Sequence, residues 1–160
     1  MVDHDVTLKD VRIGFRNFRG AEQKYNQPGN RNFCIFMNSD VGHQLEDEGW
    51  AIKWLAPRDP DDLPTALLRV AVSWKSRPPE IYLVQSGPSK VKTKLDEASV
   101  GILDDIEIAK VDITIHPYNW EMANGTKGTK AYVKTMFVTM AYDPLKAEYE
   151  DGPQNDDAPF

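Results

Sequence analysis

The stretch Ile108-Ala-Lys-Val-Asp-Ile-Thr-Ile-His-Pro-Tyr-Asn-Trp120, followed after Asn124-Gly125 by Lys130-Ala-Tyr-Val-Lys-Thr-Met-Phe-Val-Thr-Met-Ala-Tyr142, decides the fold. Both arms are rich in β-branched and aromatic residues and alternate in polarity. They flank a dipeptide that favours the left-handed turn of a hairpin. In the first arm Ile113 and Ile115 share one face, and Thr114, His116, Tyr118 and Trp120 the other. In the second, Lys130, Tyr132 and Lys134 share a parity that runs on into Met136, Val138 and Met140, so that strand needs a bulge or a change of burial.

Working outward, the same two-faced pattern recurs. Val11, Ile13 and Phe15 alternate with Arg12, Gly14 and Arg16, which predicts a strand with an apolar and a basic face, Phe18 lying on the basic one. Gly20 to Asn30 is turn chemistry, predicting a long loop that closes on a second strand, Asn32–Asn38. Ser39-Asp40 supplies a helix cap, Leu45 an apolar contact and Gly49 a stop, so one short helix is expected. A short strand around Ala51–Leu55 follows, then an acidic, proline-rich loop from Pro57 to Pro64. Leu68, Val70, Val72 and Trp74 alternate with Arg69, Ala71, Ser73 and Lys75, and a further strand, Ile81–Gln85, comes after Pro78-Pro79. Residues 86–105 read as a connection with a helical turn near Leu103. Trp50, Trp54 and Trp74 are assigned to the core, and Cys34 to the role of small apolar filler. Six or seven strands with one helix suit a small closed or nearly closed antiparallel barrel, although a sandwich fits the same pattern.

Composition sets the outer bounds. The chain has 160 residues, 41% hydrophobic and 28% charged, the balance of one globular domain. No apolar run approaches the roughly 18 residues of a membrane span, and no secretion signal opens the chain, so no membrane partner is expected. A single cysteine forms no internal disulfide, and a reducing, cytoplasmic setting is the expectation.

A search for catalytic chemistry finds little. His4, His43 and His116 stand apart from one another and from Cys34 with no metal-ligand spacing, and no phosphate loop, nucleophile elbow or His-Glu-x-x-His motif occurs. Asp104, Asp105 and Glu107 read as an acidic loop edge rather than a metal site. The expectation is therefore a binding protein with no cofactor. A virion structural protein and a metal-dependent nuclease with dispersed acids are the alternatives.

The net charge of −6 argues against nucleic acid until its distribution is considered. Residues 7–36 carry six basic residues against two acids, and residues 69–94 carry six against Glu80. The last 18 residues hold six acids and Lys146. A single strand of nucleic acid needs spaced cations for its phosphates and flat side chains for its unpaired bases. Candidates for that pairing are Arg12, Arg16, Phe18, Arg19, Lys24, Tyr25 and Arg31 near the N-terminus, and Lys75, Arg77, Lys90, Lys92 and Lys94 in the middle. The hairpin adds His116, Tyr118, Trp120, Lys127, Lys130, Tyr132 and Lys134. The end of the chain, Asn155-Asp-Asp-Ala-Pro-Phe160, is a solitary aromatic on an acidic tail with nothing beside it to build a core. Asp156 and Asp157 suit a basic rim on a partner, and Pro159 and Phe160 an apolar pocket.

That tip resembles the acidic Pro-Phe terminus of bacterial single-stranded DNA-binding proteins, which recruits replication and repair enzymes. It departs from the pattern at Ala158, where a bulkier aliphatic residue is usual. In the body, Arg16-Asn-Phe-Arg-Gly20, Tyr25-Asn26 with Arg31-Asn-Phe33, Gly49-Trp50 with Lys53-Trp54, Arg77-Pro-Pro79, and Pro117-Tyr-Asn-Trp120 with Lys130-Ala-Tyr132 resemble a family of bacteriophage single-stranded DNA-binding proteins. The resemblance runs from about Arg12 to Thr139 and implies an oligonucleotide/oligosaccharide-binding (OB) barrel. The expected layout is an OB-like, all-β domain over residues 1–142 and a disordered acidic tail over 143–160. The function implied is coating of single-stranded DNA during phage replication or recombination, with partner proteins recruited through the tip. Homo-oligomerisation is left open.

Overall fold

A computed structural model describes residues 2–75, 77–88 and 91–142, together with Leu145 and Tyr149. The strands are β1 (Val6–Asn17), β2 (Arg31–Met37), β3 (Ile52–Leu55), β4 (Thr65–Val72), β5 (Glu80–Val84), β6 (Lys92–Leu95), β7 (Ile108–Glu121) and β8 (Lys127–Met140). Helix α1 (Ser39–Glu48) lies between β2 and β3, and a 3-10 turn, Val100–Asp104, between β6 and β7. The strand order is β3-β4-β2-β1-β7-β8-β5-β6, and β4 also pairs with β8. That extra pairing closes β1, β2, β4, β8 and β7 into a five-stranded barrel, antiparallel everywhere except at the parallel β4–β8 junction. The fold is the all-β, OB-like barrel of the sequence reading, with β3 attached outside β4 and the β5–β6 hairpin outside β8.

Alternation builds the core. Phe33 and Ile35 of β2, Leu68 and Val70 of β4, Val111, Ile113 and Ile115 of β7, and Ala131, Val133, Met136 and Val138 of β8 all point inward and are buried. Each such side chain contributes about 1.5–3 kcal/mol of burial, Ala131 less. The parity conflict in β8 is resolved by a bulge. Thr114 pairs with Thr135 but Ile115 with Val133, so Lys134 is an extra residue, and the strand keeps it outside while turning Met136 inward.

β1 carries two bulges. Its register slips by one residue between Leu8 and Val11 against β7, and again between Gly14 and Asn17 against β2. Asp10 (φ 52°) and Phe15 (φ 50°) sit in the left-handed region at these slips. Each bulge reverses the parity that simple alternation predicts.

Other departures are local. Residues Lys92–Leu95, expected as loop, form β6 against β5. The helix cap is Asn38, whose side chain accepts from the Val41 N–H; Ser39 is buried and donates to the Pro64 carbonyl instead. Gly49 ends the helix with φ 115°, as expected. Trp50 is buried in the core. Trp54 and Trp74 only border it, and Trp54 also donates to Glu46.

Candidate nucleic-acid interface

The outer face of the β7–β8 hairpin is a mosaic of rings and cations. Register sets Tyr118 beside Lys130 and His116 beside Tyr132. The Tyr118 and Tyr132 rings meet edge to face at 6.2 Å, and the Lys130 ammonium lies 5.2 Å from the Tyr132 ring centre. At one end Asp5 accepts from His116 at 2.6 Å and from Lys134 at 2.7 Å. The Lys134 ammonium, seconded by His116, holds the Asp5 carboxyl below its ordinary value against the opposing effect of burial.

The β1–β2 loop faces this hairpin and is built on two buried asparagines. Asn17 exchanges two hydrogen bonds with the Ala21 backbone. Asn26 donates to the carbonyls of Ala21, Gln27 and Asn30 and accepts from the Asn32 side chain. These bonds do the work a regular ladder would do, and they fix a loop whose Tyr25 stands 85% exposed with Lys24 against its ring. Arg31, at the foot of the loop, lies over Trp74 at 5.7 Å and pairs with Glu97 at 3.3 Å.

Three clefts, of about 540, 330 and 350 Å³, run into one another across this surface. The first two share Tyr25, Asn32, Arg69 and Lys130, and the second and third share Ser73, Lys75 and Tyr132. Their walls carry Lys24, Arg31, Lys53, Arg69, Lys75, Arg77, Lys130 and Lys134, with the rings of Phe15, Tyr25, Trp74, Tyr118 and Tyr132 between them. Among the described residues lining these clefts, the one carboxylate is that of Glu97. A near-neutral body thus holds a local surplus of positive charge in a trough, where charges within one screening length dominate.

Ten of the candidates meet here: Lys24, Tyr25, Arg31, Lys75, Arg77, His116, Tyr118, Lys130, Tyr132 and Lys134. Arg12 lies outside these clefts and lines another with Phe36; its guanidinium is 5.1 Å from the Phe36 ring, which in turn meets Phe15 at 5.8 Å. Trp120 and Lys127 sit at the hairpin tip, Trp120 over Gly128 and Lys127 opposite Glu121. Lys92 and Lys94 are placed apart on the β5–β6 hairpin, where Lys92 lies against the stacked rings of Tyr82 and Phe137. Lys90 and the tip residues Asp156, Asp157, Pro159 and Phe160 lie outside the described residues.

Two candidates are corrected, and a third is engaged by an ion pair. Phe18 is fully buried and stacks on Phe33 at 4.9 Å, so it has no face to offer a base. Arg16 donates to the carbonyls of Leu103 and Ile106, closing the end of the 3-10 turn. Arg19 pairs with Asp105, while the Phe18 and Arg19 backbone N–H groups donate to Asp104. The physical reason is the second β1 bulge. It swaps the faces from Phe15 onward, taking Arg16 and Phe18 from the outer surface and sending Phe15 out in their place.

The sequence reading missed Phe15, Lys53, Arg69 and Trp74 as cleft residues. Arg69 was legible, since it alternates with buried Leu68 and Val70 on a strand whose neighbours are basic. Cys34 is on this outer wall rather than in the barrel core, half-buried, and burial pushes its thiol up and keeps it protonated. Among the described residues no group of three or more His, Cys, Asp or Glu side chains is placed to hold a metal ion, and no helix is long and apolar enough to cross a membrane.

Known proteins place this architecture. A family model described as "Putative phage ssDNA-binding domain" matches residues 2–159. No curated protein matches the chain. Among solved structures, the single-stranded DNA-binding protein from bacteriophage Enc34 in complex with ssDNA is similar, with a TM-score of 0.55 at 12% identity over 87% of this chain and 88% of that one. A C-terminal truncation of the same phage's protein gives a TM-score of 0.53 at 13% identity, covering 87% of each chain. At such identities the likeness shows the fold, and the family model carries the kinship. The family is one of binding domains rather than enzymes, and the chain belongs to it: it is a phage ssDNA-binding domain protein.

Proposed function

We propose that this chain binds single-stranded DNA along the trough, with little sequence preference, and coats exposed strands during phage DNA replication or recombination in the host cytoplasm. The observation that carries the reading is the merging of three clefts into one basic, ring-studded path opposed, among the described residues, by a single wall carboxylate. Tyr25, Trp74, Tyr118 and Tyr132 are the stacking surfaces, and every base has a face that will stack on them. Lys24, Arg31, Arg69, Lys75, Arg77, Lys130 and Lys134 are the phosphate contacts. Family membership supports the ligand class, as does the ssDNA complex of the Enc34 protein.

The acidic tail completes the proposal. Asp156, Asp157, Pro159 and Phe160 recruit replication or recombination proteins, and the tail competes for the trough when DNA is absent. Titration with oligothymidine, followed by tryptophan quenching at several salt concentrations, tests the first part. Affinity falls with salt at a log–log slope of about −0.7 per phosphate contacted. Absent or salt-independent binding overturns it. Truncation before Asp143 tests the second part: DNA binding is preserved or tightened at low salt, and capture of the partner protein is lost. Weaker DNA binding after truncation contradicts the competition.

A further inference from the structure

We infer that Phe15 is a stacking post for a nucleobase, held off the core by the left-handed bulge in β1, and that the bound strand leaves the clefts over Phe36 toward Arg12. The inference rests on the proposed binding of single-stranded DNA and extends its path. Two unfavourable features meet in one side chain. A bulky residue at φ 50° is strained, whereas glycine would adopt that backbone freely. The phenyl ring so placed is 71% exposed, leaving apolar surface in water. A bulge alone needs neither feature, because a glycine at position 15 would make the same turn and expose nothing. Strain of this kind persists where the surroundings fix it and gathers at binding sites.

The surroundings are built for a ring. Phe15 lines the largest of the three clefts, beside Tyr25 and Arg69. Its neighbour Phe36 lies over Gly14, where a Cβ would come within 2.5 Å of the ring, so the glycine beside the bulge is the floor of the second ring. Arg12 covers Phe36 in turn. The result is a stepped row of phenyl, phenyl and guanidinium running out of the trough, with the first ring left open. Bases suit the open ring, and a phosphate suits the cation one step beyond it.

Equilibrium titration of the full chain with oligothymidine tests this. Phe15→Leu weakens binding about 5- to 150-fold, the range of one lost stacking contact. Phe15→Trp stays close to wild type, and the salt slope changes in neither. Arg12→Gln lowers the slope by about 0.7, the share of one phosphate. Phe15→Gly loses affinity like Phe15→Leu, yet its thermal midpoint lies at or above that of wild type. Wild-type affinity in Phe15→Leu overturns the inference, as does a Phe15→Gly protein that melts below wild type. A Phe15→Leu protein that binds normally but loses self-association in sedimentation also overturns it, assigning the ring to a second copy of the chain. Failure of the wild-type chain to bind DNA sinks the underlying function instead, so the two failures are distinct.

Discussion

β1 and β8 are both long barrel strands broken by bulges, and the bulges act in opposite directions. In β8 the extra residue is Lys134 itself, so the strand keeps Lys130, Tyr132 and Lys134 outside and turns Met136 and Val138 into the core. In β1 the second bulge falls before Arg16, so Arg16 and Phe18 turn inward to seal the barrel end while Phe15 turns out. A cation's role is therefore set by how many bulges separate it from the last buried residue, more than by its company in sequence. Arg16 and Lys130 each sit on a strand beside aromatics, yet one is committed to two carbonyls and the other faces an open trough.

The sharpest way to break this contrast is Phe18→Ala. Deleting a fully buried ring that stacks on Phe33 lowers stability by about 3–5 kcal/mol, measured by chemical denaturation. A stable variant with weakened DNA binding instead would return Phe18 to the outer face. Arg16→Met comes next. Losing two hydrogen bonds from a charged donor removes about 3 kcal/mol, a fall in thermal midpoint of about 6–12 °C, while the salt slope of oligothymidine binding stays that of wild type. On β8, Tyr132→Ala loses about 1–3 kcal/mol of binding energy with its melting transition little changed, read by fluorescence anisotropy.

Lys130→Gln gives a smaller effect, a salt slope shallower by about 0.7. The smallest belongs to Asp5→Asn, which frees Lys134 and His116 and tightens binding a few-fold at low salt by a Coulomb effect on the order of 1 kcal/mol. The acid limb reports the same pair. Because the folded Asp5 carboxyl is held below its ordinary value of 3.8, its contribution to stability is complete above that value and is lost as pH falls through the lower folded one. Thermal melts between pH 5 and pH 2 therefore decline less steeply in Asp5→Asn than in wild type.

How much of this was legible in the chain depends on where local pattern governs. The β7–β8 hairpin, the helix stop at Gly49 and the turn at Gly125 follow from alternation and left-handed glycines, and the structure has them where the residues indicate. The need for a bulge in β8 was visible because apolar residues change parity there. In β1 it was not, since Phe15 preserves the apolar alternation and only backbone conformation reveals that its ring points away. The loop of residues 20–30 read as turn chemistry, but the convergence of Asn17 and Asn26 on its carbonyls depends on three-dimensional closure. β6 was unreadable because three of its four residues are exposed and its pairing comes from β5 rather than from its own pattern.

The parallel seam that shuts the barrel is short. Val70 faces Ala131 and Ala71 faces Tyr132, while the neighbouring β2–β4 junction runs through seven residue pairs. Ala71 and Tyr132 also line the middle cleft, so the seam and the trough share a wall. The zip of the cylinder is thus its thinnest line, and amide hydrogens of β4 and β8 there exchange with solvent sooner than those of β2. A guest lodged across that line acts as a clasp, slowing exchange at Ala71 and Tyr132 more than in the distant β5–β6 flap.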